Sequence, residues 1–240
     1  MAQRLFTFDE ARSPLLSTER SWPEKSAKEA LLFTLSIDPW LDVLTSKYGK
    51  IVEMTVLDEG DDPPDITVRF EQGTVGFEMT KMLPQKFGYF DSVIENDRTL
   101  PFKIAPTLSG LEFKSKKQVI DYASNRSGFG GWETSSERLE LWINEATNMF
   151  MKKVGRTRTV GFEYVVMFAQ GPYLNCHEAI DVIEALNQII QTEIGVFPSL
   201  IVILWDSPYN YESWLMVRNE ETKYIKRSFD SAETSSACSG

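Results

Sequence analysis

Hydrophobic residues recur along the first third of the chain with two different periods. Between residues 26 and 44 they return every three or four positions, which predicts a helix. Pro39 lies inside this helix and, because it has no backbone N–H to donate, is expected to break it into two pieces. The segments that follow are short and alternating or rich in β-branched residues, and they predict three strands, over residues 50–57, 65–71 and 74–82.

The second half of the chain alternates helical and strand-like segments. A long helix is capped by Ser135 or Ser136 and carries Lys152 and Lys153 at its predicted end, where the helix dipole favours cations. A strand, a helix and two further strands follow, over residues 162–169, 177–193, 200–205 and 214–218. Strands that alternate with helices predict an α/β sandwich with a mixed sheet.

No internal repeat or low-complexity linker divides the chain, so we expect a single domain over residues 1–228. Its core is expected to span residues 26–218, with residues 83–134 as an insertion. Residues 1–22 show no sustained period and are predicted to form an arm over the surface. The polar residues 229–240 are predicted to be a disordered tail.

Composition narrows the classes of function. The 240 residues include one histidine and two cysteines, too few for a site with two imidazoles, a disulfide framework or a thiolate zinc site. With 35 acidic and 25 basic residues the net charge is −10, so tight nonspecific binding to duplex nucleic acid is not expected. A carboxylate-rich site could still recruit a divalent cation that contacts a phosphate.

Neither the N-terminal residues nor the apolar runs of the chain indicate secretion or a membrane partner. No apolar run approaches the roughly 18–20 residues of a membrane span. The N-terminus reaches acidic residues before any apolar core, unlike a secretory signal. We therefore expect a cytoplasmic protein that does not bind membranes.

The strongest candidate for chemistry is the hairpin formed by the second and third predicted strands. A turn at Gln72–Gly73 would pair Thr67 with Glu78 and Asp65 with Thr80, leaving one face apolar and the other polar. On the polar face Asp65 and Glu78 would lie diagonally, about 5–8 Å apart. Two carboxylates at that spacing could share one Mg²⁺ or Mn²⁺. The same alternation is typical of any half-exposed hairpin, so the pattern alone does not choose between a metal site and a solvated surface.

At these residues the sequence resembles a known family. Pro64-Asp65, a β-turn, an apolar residue and then Glu78-Met79-Thr80 are similar to the motif of the PD-(D/E)XK nuclease superfamily, in the divergent bacterial and phage members that read E-x-T. The order of elements over residues 26–205 is similar as well: a helix, three strands, a long helix with late lysines and an apolar strand. The resemblance implies a restriction-endonuclease-like three-layer sandwich and Mg²⁺- or Mn²⁺-dependent hydrolysis of phosphodiester bonds.

The resemblance also implies roles for individual residues. Asp65 and Glu78 would be metal ligands, and the backbone carbonyl of Met79 would add a third oxygen. Thr80 stands where the superfamily has a lysine that polarises water or stabilises charge on the phosphate. Lys81 is adjacent, but strand parity turns it to the apolar face unless a bulge intervenes.

Two further groups could complete such a site. Some members of the superfamily move the lysine to the following helix, where Lys153 continues the apolar stripe and could point back toward the sheet, with Lys152 beside it. Both lysines could equally do no more than complement the helix dipole. An acid from the first helix often joins the site, which makes Glu29 a candidate ligand and Glu53 a second one, although Glu29 could equally be solvated.

Other conspicuous segments of the sequence give weaker indications of a functional site. The acidic turn Asp58–Asp62 lacks the oxygen spacing of a calcium loop and is interpreted as a solvated turn. Cys176–His177 has no second imidazole to complete a site. The aromatic segment Trp205–Tyr211 either marks a dimer surface or covers the edge of the core. A basic and aromatic patch suits either single-stranded nucleic acid or an ordinary surface helix; its members are Lys114, Lys116, Lys117, Tyr122, Arg126, Phe129 and Trp132.

Two functions therefore stay open, beside the more remote interpretation that the chain is an unrelated α/β protein in which the PD…E-x-T string occurs by chance. The first is a metal-dependent nuclease with a DNA or RNA substrate. The second is a catalytically silent nuclease-fold protein that binds a protein partner, or a second copy of itself, in an assembly. The presence of Asp65 and Glu78 on one face favours the first, whereas Thr80 and the net charge of −10 favour the second.

Overall fold

Within the described part of the chain, an eight-stranded sheet forms the centre of the molecule. A computed structural model describes residues 4–6, 25–56, 64–83, 88, 90, 92–93, 115–125, 136–170, 174, 176–207 and 210–228. The strands lie side by side in chain order: Arg4–Phe6 (β1), Ile51–Val56 (β2), Ile66–Phe70 (β3), Gly73–Lys81 (β4), Tyr164–Gln170 (β5), Ser199–Ser207 (β6), Asn210–Met216 (β7) and Lys223–Ser228 (β8). Neighbours are antiparallel, except that β4–β5 and β5–β6 are parallel, so the sheet is mixed as predicted.

Helices precede the sheet core and connect its parallel strands. They are Lys25–Ile37 (α1), Leu41–Tyr48 (α2), Lys116–Asn125 (α3), Ser136–Val160 (α4) and Cys176–Thr192 (α5). Pro39 lies in a 3₁₀ turn between α1 and α2, where it interrupts the helix as predicted because it cannot donate the next backbone hydrogen bond. Among the described helices, none has the length and apolar character needed to cross a membrane.

Helices pack on both faces of the sheet. On one face α1 and α2 bury Phe33 and Leu44 against strand residues that include Phe77, and the rings of Phe33 and Phe77 meet edge to face at 4.9 Å. On the other face α4 and α5 bury residues such as Trp142 against Met167 and its neighbours. Each such side chain stabilises the fold by about 1.5–3 kcal/mol. The predicted α/β class, with a mixed sheet flanked by helices, is therefore confirmed.

The long helix α4 is held against α5 and the sheet at several points. Arg138, in its first turn, forms an ion pair with Glu178 of α5 at 2.9 Å, and both side chains are buried. Further along α4, the ring of Phe150 packs against that of Phe197, at 6.2 Å between centroids. Separating Arg138 from Glu178 would leave two uncompensated buried charges, so the ion pair keeps α4 next to α5. The ring contact holds the second half of α4 in the same way.

The sheet is larger than the sequence predicted. The predicted N-terminal arm includes β1, whose Arg4 pairs with Val56 of β2. The strand predicted for residues 214–218 is residues 210–216. Strand β8 was missed, because three of its six residues are charged, as is typical of an edge strand, and it shows no apolar period. Tyr211 is buried, so this part of the aromatic segment covers the core. Residues 229–240 and most of the predicted insertion lie outside the described residues.

The hairpin of β3 and β4 has a register two residues away from the predicted one. Phe70 pairs with Gly73, so the turn consists of Glu71 and Gln72 and comes one residue earlier than expected. The backbone N–H groups of these two residues donate to carbonyls in the α2–β2 connection, each at 3.0 Å, and this long-range contact fixes the turn. Because a shift of two residues preserves strand parity, the predicted apolar and polar faces are unchanged.

Candidate active site

The hairpin brings Asp65 and Glu78 side by side. Ile66 pairs with Phe77, so one residue further along the ladder Asp65 comes next to Glu78, rather than opposite Thr80 as the sequence predicted. One carboxylate oxygen of Asp65, Oδ2, accepts the backbone N–H of the residue after Glu78 at 2.7 Å. This bond holds the half-buried Asp65 carboxylate over β4, beside Glu78, the other predicted carboxylate ligand.

Glu78 is far more buried than a residue of a half-exposed hairpin. It is 1% exposed, because α4 covers its face of the sheet from β4 onward. Burial raises the pKa of the Glu78 carboxyl, a hydrogen bond from Lys153 opposes that rise, and the neighbouring Asp65 raises the pKa further. The second carboxylate oxygen, Oε2, is buried and receives no hydrogen bond from any residue that the structure describes. Such an oxygen costs about 1–3 kcal/mol if nothing else binds it.

Lys153 reaches this carboxylate pair from α4. Its ammonium donates to Oε1 of Glu78 and lies 3.4 Å from the backbone oxygen of Met79. The prediction that α4 ends near Lys153 was wrong, since the helix continues to Val160, so Lys153 is no terminal cation that merely complements the helix dipole. The adjacent Lys152 is exposed. The structure thus places a helix-borne lysine against the two groups expected to bind a metal.

Arg156 is a site residue that the sequence analysis missed. It follows Lys153 by three residues, so both lie on the same side of α4, and its guanidinium is 3.9 Å from Oε1 of Glu78. Its side chain is 49% exposed, against 16% for Lys153. Helical spacing would have indicated Arg156 if the predicted helix had not stopped before it.

The residues that follow Glu78 on β4 point alternately to the two faces. The pairing of β4 with β5 runs without a register shift from Phe77 to Lys81, so no bulge turns Lys81 toward Glu78. Lys81 shares its parity with Phe77, which packs under α1, so its side chain leaves β4 on the face opposite to that of Glu78. Thr80 shares the parity of Glu78 and is half-buried on the α4 side.

Glu53 and Glu29, the two other carboxylates that the sequence offered as metal ligands, lie in different surroundings. Glu53 of β2 accepts two hydrogen bonds from Arg69, at 2.8 and 3.0 Å, on the part of the sheet face that helices leave open. The bond from Arg69 lowers the pKa of Glu53. Glu29 lies in α1, which packs on the face of the sheet opposite to Glu78, and its side chain is not among those described. Its role as a metal ligand stays a prediction.

The remaining candidates add little to the site. The turn Asp58–Asp62 lies outside the described residues. Cys176–His177 begins α5, with His177 exposed. In the basic patch Lys116 and Lys117 are exposed at the start of α3, and Tyr122 is half-buried, whereas the other four members fall outside the described residues.

The donor set at the hairpin suits a hard divalent cation. The carboxylates of Asp65 and Glu78 and the carbonyl of Met79 are oxygen ligands, which Mg²⁺ and Mn²⁺ prefer. Among the described residues, no cluster of three or more His, Cys, Asp and Glu side chains occurs. Mg²⁺ typically needs only one or two carboxylates because it keeps several waters, and the buried Oε2 of Glu78 accepts no hydrogen bond within the described part of the chain. The residues present therefore fit such an ion.

No family model, no curated protein and no solved structure matches this chain. The resemblance to PD-(D/E)XK nucleases therefore depends on the motif at Asp65 and Glu78 and on the order of the elements around it. The geometry of the carboxylates with Lys153 is independent of that resemblance.

Proposed function

We propose that this protein is a divalent-metal-dependent nuclease of the PD-(D/E)XK type, which hydrolyses phosphodiester bonds in DNA or RNA. One observation carries the proposal. The ammonium of Lys153 contacts both Glu78 and the carbonyl of Met79, the groups expected to bind the metal together with Asp65. The motif has Thr80 where a lysine is usual, and a lysine from α4 lies at the carboxylates instead.

The order of the elements supports the same proposal. Helix α1 precedes the antiparallel strands β2, β3 and β4, and the long helix α4 then leads to β5, which pairs with β4 in parallel. This is the order expected of a restriction-endonuclease-like core. The additional strands lie at the two edges, with β1 beside β2 and β6, β7 and β8 beyond β5, so they do not interrupt that core.

Each residue of the site has a defined task in this chemistry. A bound Mg²⁺ or Mn²⁺ would supply a Lewis acid that activates water and neutralises charge on the phosphate. Asp65 is oriented by the Met79 N–H, which binds one carboxylate oxygen, and the other oxygen would be its ligand to the metal. Lys153 can donate a hydrogen bond to the attacking water or to a phosphate oxygen as charge develops there. Its partly buried position strengthens that interaction relative to water.

Arg156 has the position and the chemistry expected of a residue that binds a phosphate of the substrate. Its guanidinium stands at the exposed rim of the site, next to Glu78, and guanidinium groups bind phosphate oxygens in a bidentate manner. Two cations thus lie at Glu78, with Asp65 as the neighbouring carboxylate. This local balance lets a protein with a net charge of −10 accept a polyanion at one point of its surface.

The burial of Glu78 favours one alternative. If the ion pair between Lys153 and Glu78 is permanent, it neutralises the Glu78 carboxylate without a metal, and the protein would be a silent nuclease-fold module that binds a protein partner. The two functions make opposite predictions for metal binding and for cleavage.

Cleavage assays on matched variants test the proposal. Labelled single- and double-stranded DNA and RNA are incubated with wild-type protein in Mg²⁺ or Mn²⁺, with and without a chelator. The proposal predicts metal-dependent cleavage that Asp65→Asn and Glu78→Gln abolish. Glu53→Gln is the control, because Glu53 is a carboxylate on the neighbouring strand that pairs with Arg69. Cleavage that is absent in wild type, or equal in all variants, would contradict the proposal.

A further inference from the structure

Lys153 contacts the same oxygens that a metal ion would need. Its ammonium is bound to Oε1 of Glu78 and is 3.4 Å from the carbonyl oxygen of Met79. Both are predicted metal ligands, and an ammonium and a divalent cation between the same two oxygens would repel each other at short range. The side chain of Lys153 and a metal therefore compete for this part of the site.

Several features indicate that Lys153 can leave. It approaches from a helix, outside the sheet, through a long unbranched side chain that is 16% exposed. Val154, the next residue of α4, is buried, so the helix backbone can stay in place while the lysine rotates about its side-chain bonds. Arg156, about one turn further along α4, is 49% exposed while its guanidinium is 3.9 Å from the same Oε1 of Glu78, so a cation on this side of α4 can be near Glu78 and in contact with solvent.

We propose that Lys153 is a built-in cation that occupies the ligand oxygens of the metal-free protein and is displaced when the metal binds. The inference rests on the proposed metal-dependent function. The displaced ammonium would then be available to a phosphate or to water, so the site would acquire its lysine in the catalytic position only after the metal is bound. In the metal-free state the same lysine neutralises the buried Glu78.

Metal affinity measures this competition without any substrate. Mn²⁺ is titrated calorimetrically, at mildly alkaline pH, into wild-type protein, Lys153→Met, which keeps the length of the side chain, and the control Lys152→Met, which alters an exposed neighbour. Because one charge-assisted hydrogen bond no longer has to be broken, Lys153→Met is expected to bind Mn²⁺ about tenfold more tightly than wild type. Lys152→Met is expected to bind like wild type.

The outcomes separate this inference from the proposed function. Equal or weaker binding by Lys153→Met, with wild-type binding that Asp65→Asn abolishes, would overturn the inference and leave the metal site intact. Absence of Mn²⁺ binding in wild type and in Lys153→Met would overturn both. Far-UV circular dichroism establishes that each variant is folded.

A second measurement uses only folded protein with its lysine in place. The side-chain ammonium groups of ¹⁵N-labelled wild-type protein are observed by NMR, and the signal of Lys153 is assigned by its absence in Lys153→Arg. Titration with diamagnetic Mg²⁺ is expected to shift or broaden this signal in step with metal saturation. An unchanged signal at saturation would overturn the inference.

Discussion

The ammonium of Lys153 is hydrogen-bonded to the carboxylate of Glu78, although 75 positions separate the two residues in the chain. Their contact joins the helix α4 to the strand β4 across the covered face of the sheet. Asp65, which directly precedes β3, completes the group through its bond to the Met79 N–H. The hairpin and α4 of the proposed nuclease core thus bring charged residues to the same place.

Replacing Lys153 with methionine is expected to lower the rate of metal-dependent cleavage. The substitution removes the ammonium that would stabilise charge on the phosphate, an effect of about 10²–10³ in kcat. Steady-state kinetics at saturating metal measures it. Lys152→Met should keep the wild-type rate because Lys152 is exposed to solvent. A similar loss in both variants would contradict a specific role for Lys153.

The lysine of the usual motif should be able to replace the one on α4. Thr80 shares the strand parity of Glu78, so Thr80→Lys would place an ammonium on the same side of β4. In a Lys153→Met background, this substitution is expected to recover at least about tenfold of the lost cleavage rate. Lys81 is present in the single and in the double variant, so a difference in their cleavage rates cannot be due to Lys81. Failure of Thr80→Lys to recover activity in a folded double variant would show that helix placement is essential.

Arg156→Ala is expected to weaken substrate binding more than it slows chemistry. Loss of one phosphate contact should raise KM by about tenfold and reduce the slope of log affinity against log salt by about one. Binding titrations at several salt concentrations measure both quantities. Arg69→Ala is the control, because Arg69 is a similarly exposed arginine that pairs with Glu53. An equal change in both variants would indicate nonspecific charge rather than a phosphate site.

The raised pKa of Glu78 predicts how stability depends on pH. Because burial raises this pKa above its ordinary value of 4.5, the folded protein retains a proton that the unfolded chain has lost. The contribution of Glu78 to stability is therefore largest below that value and falls as pH rises toward the folded-state pKa. Between pH 4.5 and the higher folded-state pKa, the free energy of unfolding of metal-free wild-type protein should therefore fall relative to that of Glu78→Gln. Urea unfolding of both proteins across the pH range measures the difference, and a wild type that gains stability relative to the variant would contradict the direction of the shift.

Local patterns were enough to predict much of the fold, whereas long-range contacts decided the rest. The period of residues 26–44, the break at Pro39 and the alternation of the hairpin predicted α1, α2 and the two faces of β3 and β4. The turn was predicted one residue too late, at Gln72–Gly73, because the backbone N–H groups of Glu71 and Gln72 bind carbonyls of the distant residues Tyr48 and Lys50, which the local pattern does not show. Charged β8 had no period to detect.

In the candidate site, too, local sequence signals predicted some of the residues, whereas long-range packing decided the others. Asp65 and Glu78 were identified from the motif, and Lys153 from the helical stripe, since both signals lie within short stretches of sequence. The burial of Glu78 could not be predicted, because it depends on α4 docking over β4. Arg156 was missed because no local signal showed that α4 continues to Val160.

Calorimetric titration with Mn²⁺ tests the central claim most directly. Wild-type protein is compared with Asp65→Asn, Glu78→Gln and the control Glu53→Gln, all at the same protein concentration and pH. The proposed site predicts binding of one or two ions to wild type and to Glu53→Gln, and loss of that binding in the other two variants. Absence of binding to wild-type protein at millimolar metal, or binding that survives in Asp65→Asn and Glu78→Gln, would contradict a metal site at these carboxylates.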